Sequence, residues 1–199
     1  MRPKGKPDAE LYEIRKEMLG LLEKQSEMGE IDLFYGDESQ ISEAGYVPYG
    51  WVFKDEKVEV PAQKGKSLNI WGLLSRDNRL IFETRQETIN SDFVLEKLEA
   101  LSFKISKQTV IVLDNARIHT AHKIKERLET WQNRGLYIFY LPPYSPNLNI
   151  IERLWKELKA RWIRPTDYED SQKLFFVAWT ALASVGSELT INYSNFNAN

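Results

Sequence analysis

Two hydrophobic periods divide the chain. Leu11, Ile14, Met18, Leu21 and Leu22 recur at helical spacing and predict a helix that opens at Asp8 and ends at Gly29. Over residues 31–36 the period drops to two: Ile31, Leu33 and Tyr35 share one face of a strand, and Asp37 falls next on that face, at the strand's end. Val47–Phe53, Leu68–Leu74 and Leu80–Arg85 read as further strands between Gly, Asp and Asn turn residues, close enough in succession to predict antiparallel pairing. The helical period then returns. Ser91 is placed to cap a helix carrying Val94, Leu98, Leu101 and Ile105. Thr109–Leu113 is a continuous apolar, β-branched run, the mark of a strand buried on both faces. A helix with Ile124, Leu128 and Trp131 on one side follows and stops near Gly135, and Leu136–Leu141 reads as a second buried strand. Pro142, Pro143 and Pro146 make the next loop rigid. A helix runs from near Asn149 to about Ile163, and a last one holds Leu174, Val177, Ala178, Ala181, Leu182 and Val185.

That order is helix, antiparallel strands, then helix–strand–helix–strand–helix. It predicts an α/β or α+β layer fold with a mixed sheet and helices on its faces. The expectation is one domain over residues 1–199, with its core at about 31–165 and with loose ends at 1–8 and 190–199.

Composition narrows the function classes. In 199 residues, 42% hydrophobic and 28% charged is an ordinary globular balance. No apolar run approaches the ~20 residues of a membrane span, and the N-terminus lacks a signal-peptide core, so a cytoplasmic protein is expected. With no cysteine there can be no disulfide, thiolate zinc site or cysteine nucleophile. The net charge of −2 counts against a dedicated DNA-binding module. The charge is uneven, however. From Glu152 to Arg164 five basic residues (Arg153, Lys156, Lys159, Arg161, Arg164) face two acidic ones.

Acidic residues at strand ends are the candidate chemistry. Asp37 ends the first strand, and Asp114 ends the first buried strand on the face of Val110 and Val112. If those strands are neighbours, both carboxylates point into one cleft at the strand ends, where ligands gather in such sheets. Carboxylates forced together repel unless a cation intervenes, and hard oxygen ligands suit Mg²⁺ or Mn²⁺. Each residue also has a plainer reading. Asp37 and the Asp114-Asn115 pair can be turn residues, and Asn149-Ile150-Ile151-Glu152 has the form of a capping box, with Lys156 a helix-surface partner for Glu152. His119 and His122 are too few for zinc without further ligands; His119 is better placed to order the loop after Asp114 or to touch a phosphate. Trp155 and Trp162, seven apart, read as core. No serine sits in a nucleophile-elbow context, and Lys64-Gly65-Lys66-Ser67 lacks the upstream glycine of a phosphate loop.

Three motifs resemble one family when taken together. They are Gly36-Asp37-Glu38-Ser39, then Leu113-Asp114-Asn115-Ala116 with His119, then the run from Leu141-Pro142-Pro143-Tyr144-Ser145-Pro146 through Asn147-Leu148-Asn149-Ile150-Ile151-Glu152 with Trp155. The chain resembles mariner-superfamily transposases of bacterial insertion sequences, in their DDE endonuclease domain. The likeness covers about residues 10–165, and 37 residues lie between Asp114 and Glu152. The resemblance implies an RNase H-like fold, three antiparallel strands followed by two parallel ones. It implies that Asp37, Asp114 and Glu152 hold two Mg²⁺ (or Mn²⁺) ions and catalyse DNA strand cleavage and strand transfer. Arg153, Lys156, Lys159, Arg161 and His119 are the expected DNA contacts. Partners implied are the element ends, a TA-containing target, a second copy in the DNA complex, and a helix-turn-helix module, which this chain lacks and a separate or frameshift-joined reading frame would supply. Ile150 stands where the family usually has proline at the helix start. The alternatives are a catalytically silent or domesticated remnant that binds DNA or a partner transposase, and an RNase H or Holliday-type nuclease on the same fold.

Overall fold

The computed structural model describes residues 8–43 and 65–193. The expected strand at Val47–Phe53 lies outside the described residues, as do residues 1–7 and 194–199 of the expected loose ends; the described parts of those ends are held, Asp8 as a helix cap and Ile191 and Tyr193 by burial in the core. Five strands form one sheet: β1 (Asp32–Ser42), β2 (Ser67–Leu74), β3 (Leu80–Arg85), β4 (Thr109–Leu113) and β5 (Leu136–Tyr140), in the order β3-β2-β1-β4-β5. β1, β2 and β3 pair antiparallel, while β4 runs parallel to β1 and β5 parallel to β4. Three antiparallel and two parallel strands are the RNase H-like arrangement.

β1 continues past Asp37, which therefore lies within the strand and not at its end. The reason is a change of partner. Pairing with β4 closes at Tyr35 opposite Val112, but pairing with β2 carries β1 on, with Asp37 opposite Gly72, to Ser42 opposite Ser67. β4 is buried at every position, as its β-branched run predicts. β5 is an edge strand, and only Leu136 and Phe139 of it are buried, which corrects the expectation of a second fully buried strand.

Helices cover both faces of the sheet. Leu33 and Tyr35 of β1 and Val110 and Val112 of β4 pack with α1 (Ala9–Glu27), α5 (Ile151–Glu157) and α6 (Ser171–Ala183). On the other face Phe34, Ile111 and Leu113 pack with α2 (Ser91–Ser102), α3 (His122–Lys125) and α4 (Leu128–Asn133). Asp8 caps α1, accepting from the amides of Glu10 at 3.0 Å and Leu11 at 3.2 Å, and Gly29 ends it at φ 75°, a left-handed conformation that costs glycine little. α2 is capped by Asn90 instead of Ser91, because Asn90 is the extended residue whose side chain reaches the amides of Asp92 and Phe93. The helix expected over Ile124–Trp131 is two short ones. The amide of Arg127 bonds the carbonyl of Ile124 three residues back, a tightened turn that sets the Arg127 guanidinium on Glu99 of α2.

Candidate active site

Asp37 and Asp114 each lie two residues beyond the last paired positions of the β1–β4 ladder, Tyr35 and Val112. Parallel neighbours at equal displacement start roughly 5 Å apart, and both residues belong to the side-chain face shared by Tyr35 and Val112. The third acid arrives on α5, whose buried Ile151, Leu154 and Trp155 lie on the same face of the sheet. Asp37, Asp114 and Glu152 line one cleft of about 490 Å³, walled by the loop from Leu141 to Pro146.

Local chemistry explains how α5 is set. Asn149 reaches across to β1, its amide donating to the carbonyl of Gly36 at 3.0 Å, immediately before Asp37. Gly72, opposite Asp37, leaves room for the helix: a β-carbon there would lie 3.0 Å from Trp155 Cη2 and 3.2 Å from Ile151 Cδ1. The Trp155 ring therefore settles against the sheet, and its Nε1 donates to Asp37 Oδ2 at 3.1 Å. Trp155 is core, as its spacing predicts, and it is also a donor to a site carboxylate, a role that periodicity does not reveal. The capping-box reading of Glu152 is not realised. α5 begins at Ile151 after a 3-10 turn (Pro146–Leu148); Asn149 Oδ1 accepts from the Ile151 amide at 3.4 Å, and the return bond from Glu152 to the Asn149 amide is absent among the described residues. Among the described residues Lys156 makes no ion pair with Glu152.

After β4 the chain turns back on itself. Asp114 Oδ1 accepts from the Ala116 amide at 2.9 Å, so the turn reading of Asp114 holds alongside its place in the cleft. The Asn115 side chain donates to the carbonyl of Leu141, tying this turn to the proline loop. His119 has no exposed surface; Nδ1 lies 2.7 Å from Asp114 Oδ1 and Nε2 2.7 Å from Glu38 Oε1. With both nitrogens engaged, His119 orders the loop and presents nothing to a phosphate. Glu38, its second partner, follows Asp37 in the motif and is the residue that reading the carboxylates alone passes over. His122 is exposed and lies 3.2 Å from Glu126, facing away from His119.

The electrostatics divide the acids. Burial, then repulsion from Glu152, Glu38 and Asp114, pushes Asp37 up to about 7. Burial also raises Glu152, with Lys159 opposing and Asp114 adding to the rise. Burial would raise Asp114 too, but His119 and the Ala116 amide outweigh it and bring it below the usual carboxylate value. Burial would lower His119, but its two carboxylate partners raise it to about 10, so the ring is an imidazolium. Lys159 is lowered by burial, against the pull of Glu152 and Asp37. It belongs to a π-helical stretch, Leu158–Trp162, that continues α5, a rare geometry found often at functional sites. Arg153, Lys156 and Arg161 line a second hollow of about 410 Å³ that shares Glu152 with the cleft. At the cleft mouth Tyr144 holds φ 59° and stays exposed, an uncommon conformation for a bulky residue.

As the side chains stand, no three His, Asp or Glu groups among the described residues converge closely enough to hold a metal ion. The donors nonetheless suit one. They are hard oxygens, and Asp37, pushed up to about 7 by burial and then by its acidic neighbours, is a carboxyl group that a cation would help to ionise.

A family model for DDE superfamily endonucleases matches residues 32–174. The 39 kDa protein of insertion element IS630 from Shigella sonnei is 26% identical over 130 residues, covering 63% of this chain and 37% of that protein. Protein y4pE/y4sA of Sinorhizobium fredii is 30% identical over 76 residues, covering 37% of this chain and 52% of its own. The chain thus spans about half or less of the relatives it matches. Among solved structures, the Mos1 mariner paired-end complex with Mn superposes with TM-score 0.58 at 18% identity, over 92% of this chain and 62% of that one. The catalytic domain of the Mos1 mariner transposase gives TM-score 0.51 at 18% identity over 92% and 91%. The chain belongs to the DDE endonuclease superfamily and has the fold of a transposase catalytic domain.

Proposed function

We propose that this chain carries out the metal-dependent phosphoryl transfers of DNA transposition, strand cleavage at an element end and strand transfer into target DNA. The observation that carries the reading is the lining of one cleft by Asp37, Asp114 and Glu152, with Asp37 pushed up to about 7 by burial and its acidic neighbours. These three would hold two Mg²⁺ or Mn²⁺ ions. Such ions, when bound, activate the attacking oxygen and stabilise the leaving one. The His119 imidazolium holds Asp114 and Glu38 in place. Trp155 fixes Asp37. Arg153, Lys156 and Arg161 border the cleft with positive charge suited to DNA phosphates, and Lys159 is within electrostatic reach of Glu152 and Asp37. The Mos1 paired-end complexes contain transposon ends and Mn or Mg, which supports the same partners and cofactors here. We extend the reading to a TA-containing target, two copies in the DNA complex, and a helix-turn-helix module in the complete protein.

The test is cleavage of DNA bearing the element's terminal repeats in Mg²⁺ or Mn²⁺, wild type against Asp114→Asn. The substitution removes charge without volume. Loss of metal-stabilised charge is worth several kcal/mol, so cleavage should fall at least ~10³-fold while the fold is kept. Cleavage undiminished in the variant removes the assignment. No cleavage by either protein favours a silent remnant.

A further inference from the structure

α1 is apolar over a wider sector than the domain covers. Leu19 is buried against the sheet, with Tyr12 and Leu22 packed beside it. On the adjoining face, reached through Leu22, Leu11, Ile14, Met18, Leu21 and Met28 are all exposed, Leu21 at 61% and Met28 at 72%. Their spacing is 3, 4 and 3, with Gln25 filling the one polar position before Met28, which is the seam of a coiled-coil helix. A 19-residue helix extends this stripe over roughly 28 Å. Beside it a groove of about 530 Å³ opens between Met18, Leu21, Met28 and Phe139 of β5. A contiguous exposed apolar surface of this kind marks an interaction site.

The charges bordering the stripe select the partner. Glu17 and Lys24 are both exposed, lie seven residues apart on one flank, and make no ion pair among the described residues. We propose that α1 pairs antiparallel with α1 of a second copy of this chain, making a dimer that does not require DNA. With the two-fold axis between Met18 and Leu21, Met18 of one copy meets Leu21 of the other, and Leu11 meets Met28. Glu17 then faces Lys24 across the seam, twice by symmetry. A two-fold interface requires such self-complementarity. A parallel pair would set Glu17 against Leu22 and would need Arg15, whose guanidinium already lies 5.2 Å over the Phe139 ring. A lone helix pair falls below the standard interface of ~1,600 Å², so a dissociation constant of roughly micromolar order is expected. This proposal is independent of the cleft and stands or falls without it.

Sedimentation of the whole chain without DNA, from about 1 to about 200 µM, tests it. The wild type should pass from monomer to dimer across that range, and Leu21→Glu should stay monomeric with an unchanged melting temperature. Glu17→Lys and Lys24→Glu should each weaken dimerisation by about tenfold, and the two together should restore it. A wild type that stays monomeric throughout overturns the proposal and leaves the stripe to another segment or another protein. So does a dimer indifferent to Leu21→Glu. A double reversal as weak as either single one overturns the antiparallel register.

Discussion

Replacing Gly72 tests whether the site depends on how closely α5 approaches the sheet. In Gly72→Ala the new methyl would lie 3.0 Å from Trp155 Cη2, 3.2 Å from Ile151 Cδ1 and 3.4 Å from Trp155 Cζ2. Ile151 Cδ1 ends a flexible chain and can move aside. The Trp155 ring cannot, because it is buried and its Nε1 is fixed on Asp37. Overpacking a core of this density costs about 1–3 kcal/mol, and the lost chain entropy of glycine returns about 0.5–1 kcal/mol, so Gly72→Ala should destabilise by about 1 kcal/mol. Gly72→Val should approach about 3 kcal/mol. The effect on the site should exceed the effect on stability. A Trp155 ring displaced by several tenths of an ångström lengthens its 3.1 Å bond to Asp37 and carries Glu152 with it. Misplacement on the order of 1 Å can cost about 10²-fold in rate. Urea unfolding would give the stability change, and Mg²⁺-dependent cleavage of element-end DNA the activity. Trp155→Phe, which removes the donor and keeps most of the ring, separates hydrogen bond from packing. If Gly72→Val retained both wild-type stability and wild-type cleavage, α5 would not be positioned by this contact and the argument from Gly72 would be wrong.

Two further outcomes are expected. Burial would raise Glu99, but hydrogen bonds from Arg134, Arg127 and Trp131 outweigh it and hold it down at about 2. A pKa below the unfolded value means stability that is complete above about 4.3 and lost as pH falls towards 2. Glu99→Gln should therefore lower stability at pH 7 by about 1–3 kcal/mol and flatten the acid limb of the pH–stability curve, measured by denaturant titration; an unchanged acid limb contradicts this. His119→Ala leaves Asp114 and the part-buried Glu38, 19% exposed, without their shared cation, and should cost about 3 kcal/mol in the same assay. A loss under ~1 kcal/mol would mean that water replaces the ring there.

The readable parts of the fold were those where a single period governs a segment. Thr109–Leu113 and Leu80–Arg85 appear at the bounds their patterns predict, because one strand is buried throughout and the other lies between turn residues. Patterns fail where the governing contact is remote in sequence. β1 continues past Asp37 because β2 pairs with it, and nothing local in Gly36-Asp37-Glu38 announces that partner. β5 is apolar enough for a central strand but has no neighbour beyond it among the described residues. The break between α3 and α4 serves the bond from Arg127 to Glu99, 28 residues away.

The same distinction runs through the site. The three acids stand out because each interrupts an apolar run or opens a helix, and the resemblance lends them a shared role. What surrounds them is not periodic. Glu38 lies 81 residues from His119 and Trp155 lies 118 from Asp37, so neither pairing has a local signature. These contacts nonetheless set the charge state. His119 balances Asp114 and Glu38, while Asp37 receives only neutral donors, the Trp155 indole and the Glu38 amide, against repulsion from three acids. The cationic ring thus meets the negative charge on one side of the cleft, while on the other Lys159, itself lowered by burial, offsets it only in part. That side, between Asp37 and Glu152, is where the site gains most from a further cation, and an apolar or neutral replacement of Asp37 should stabilise the fold while abolishing that gain.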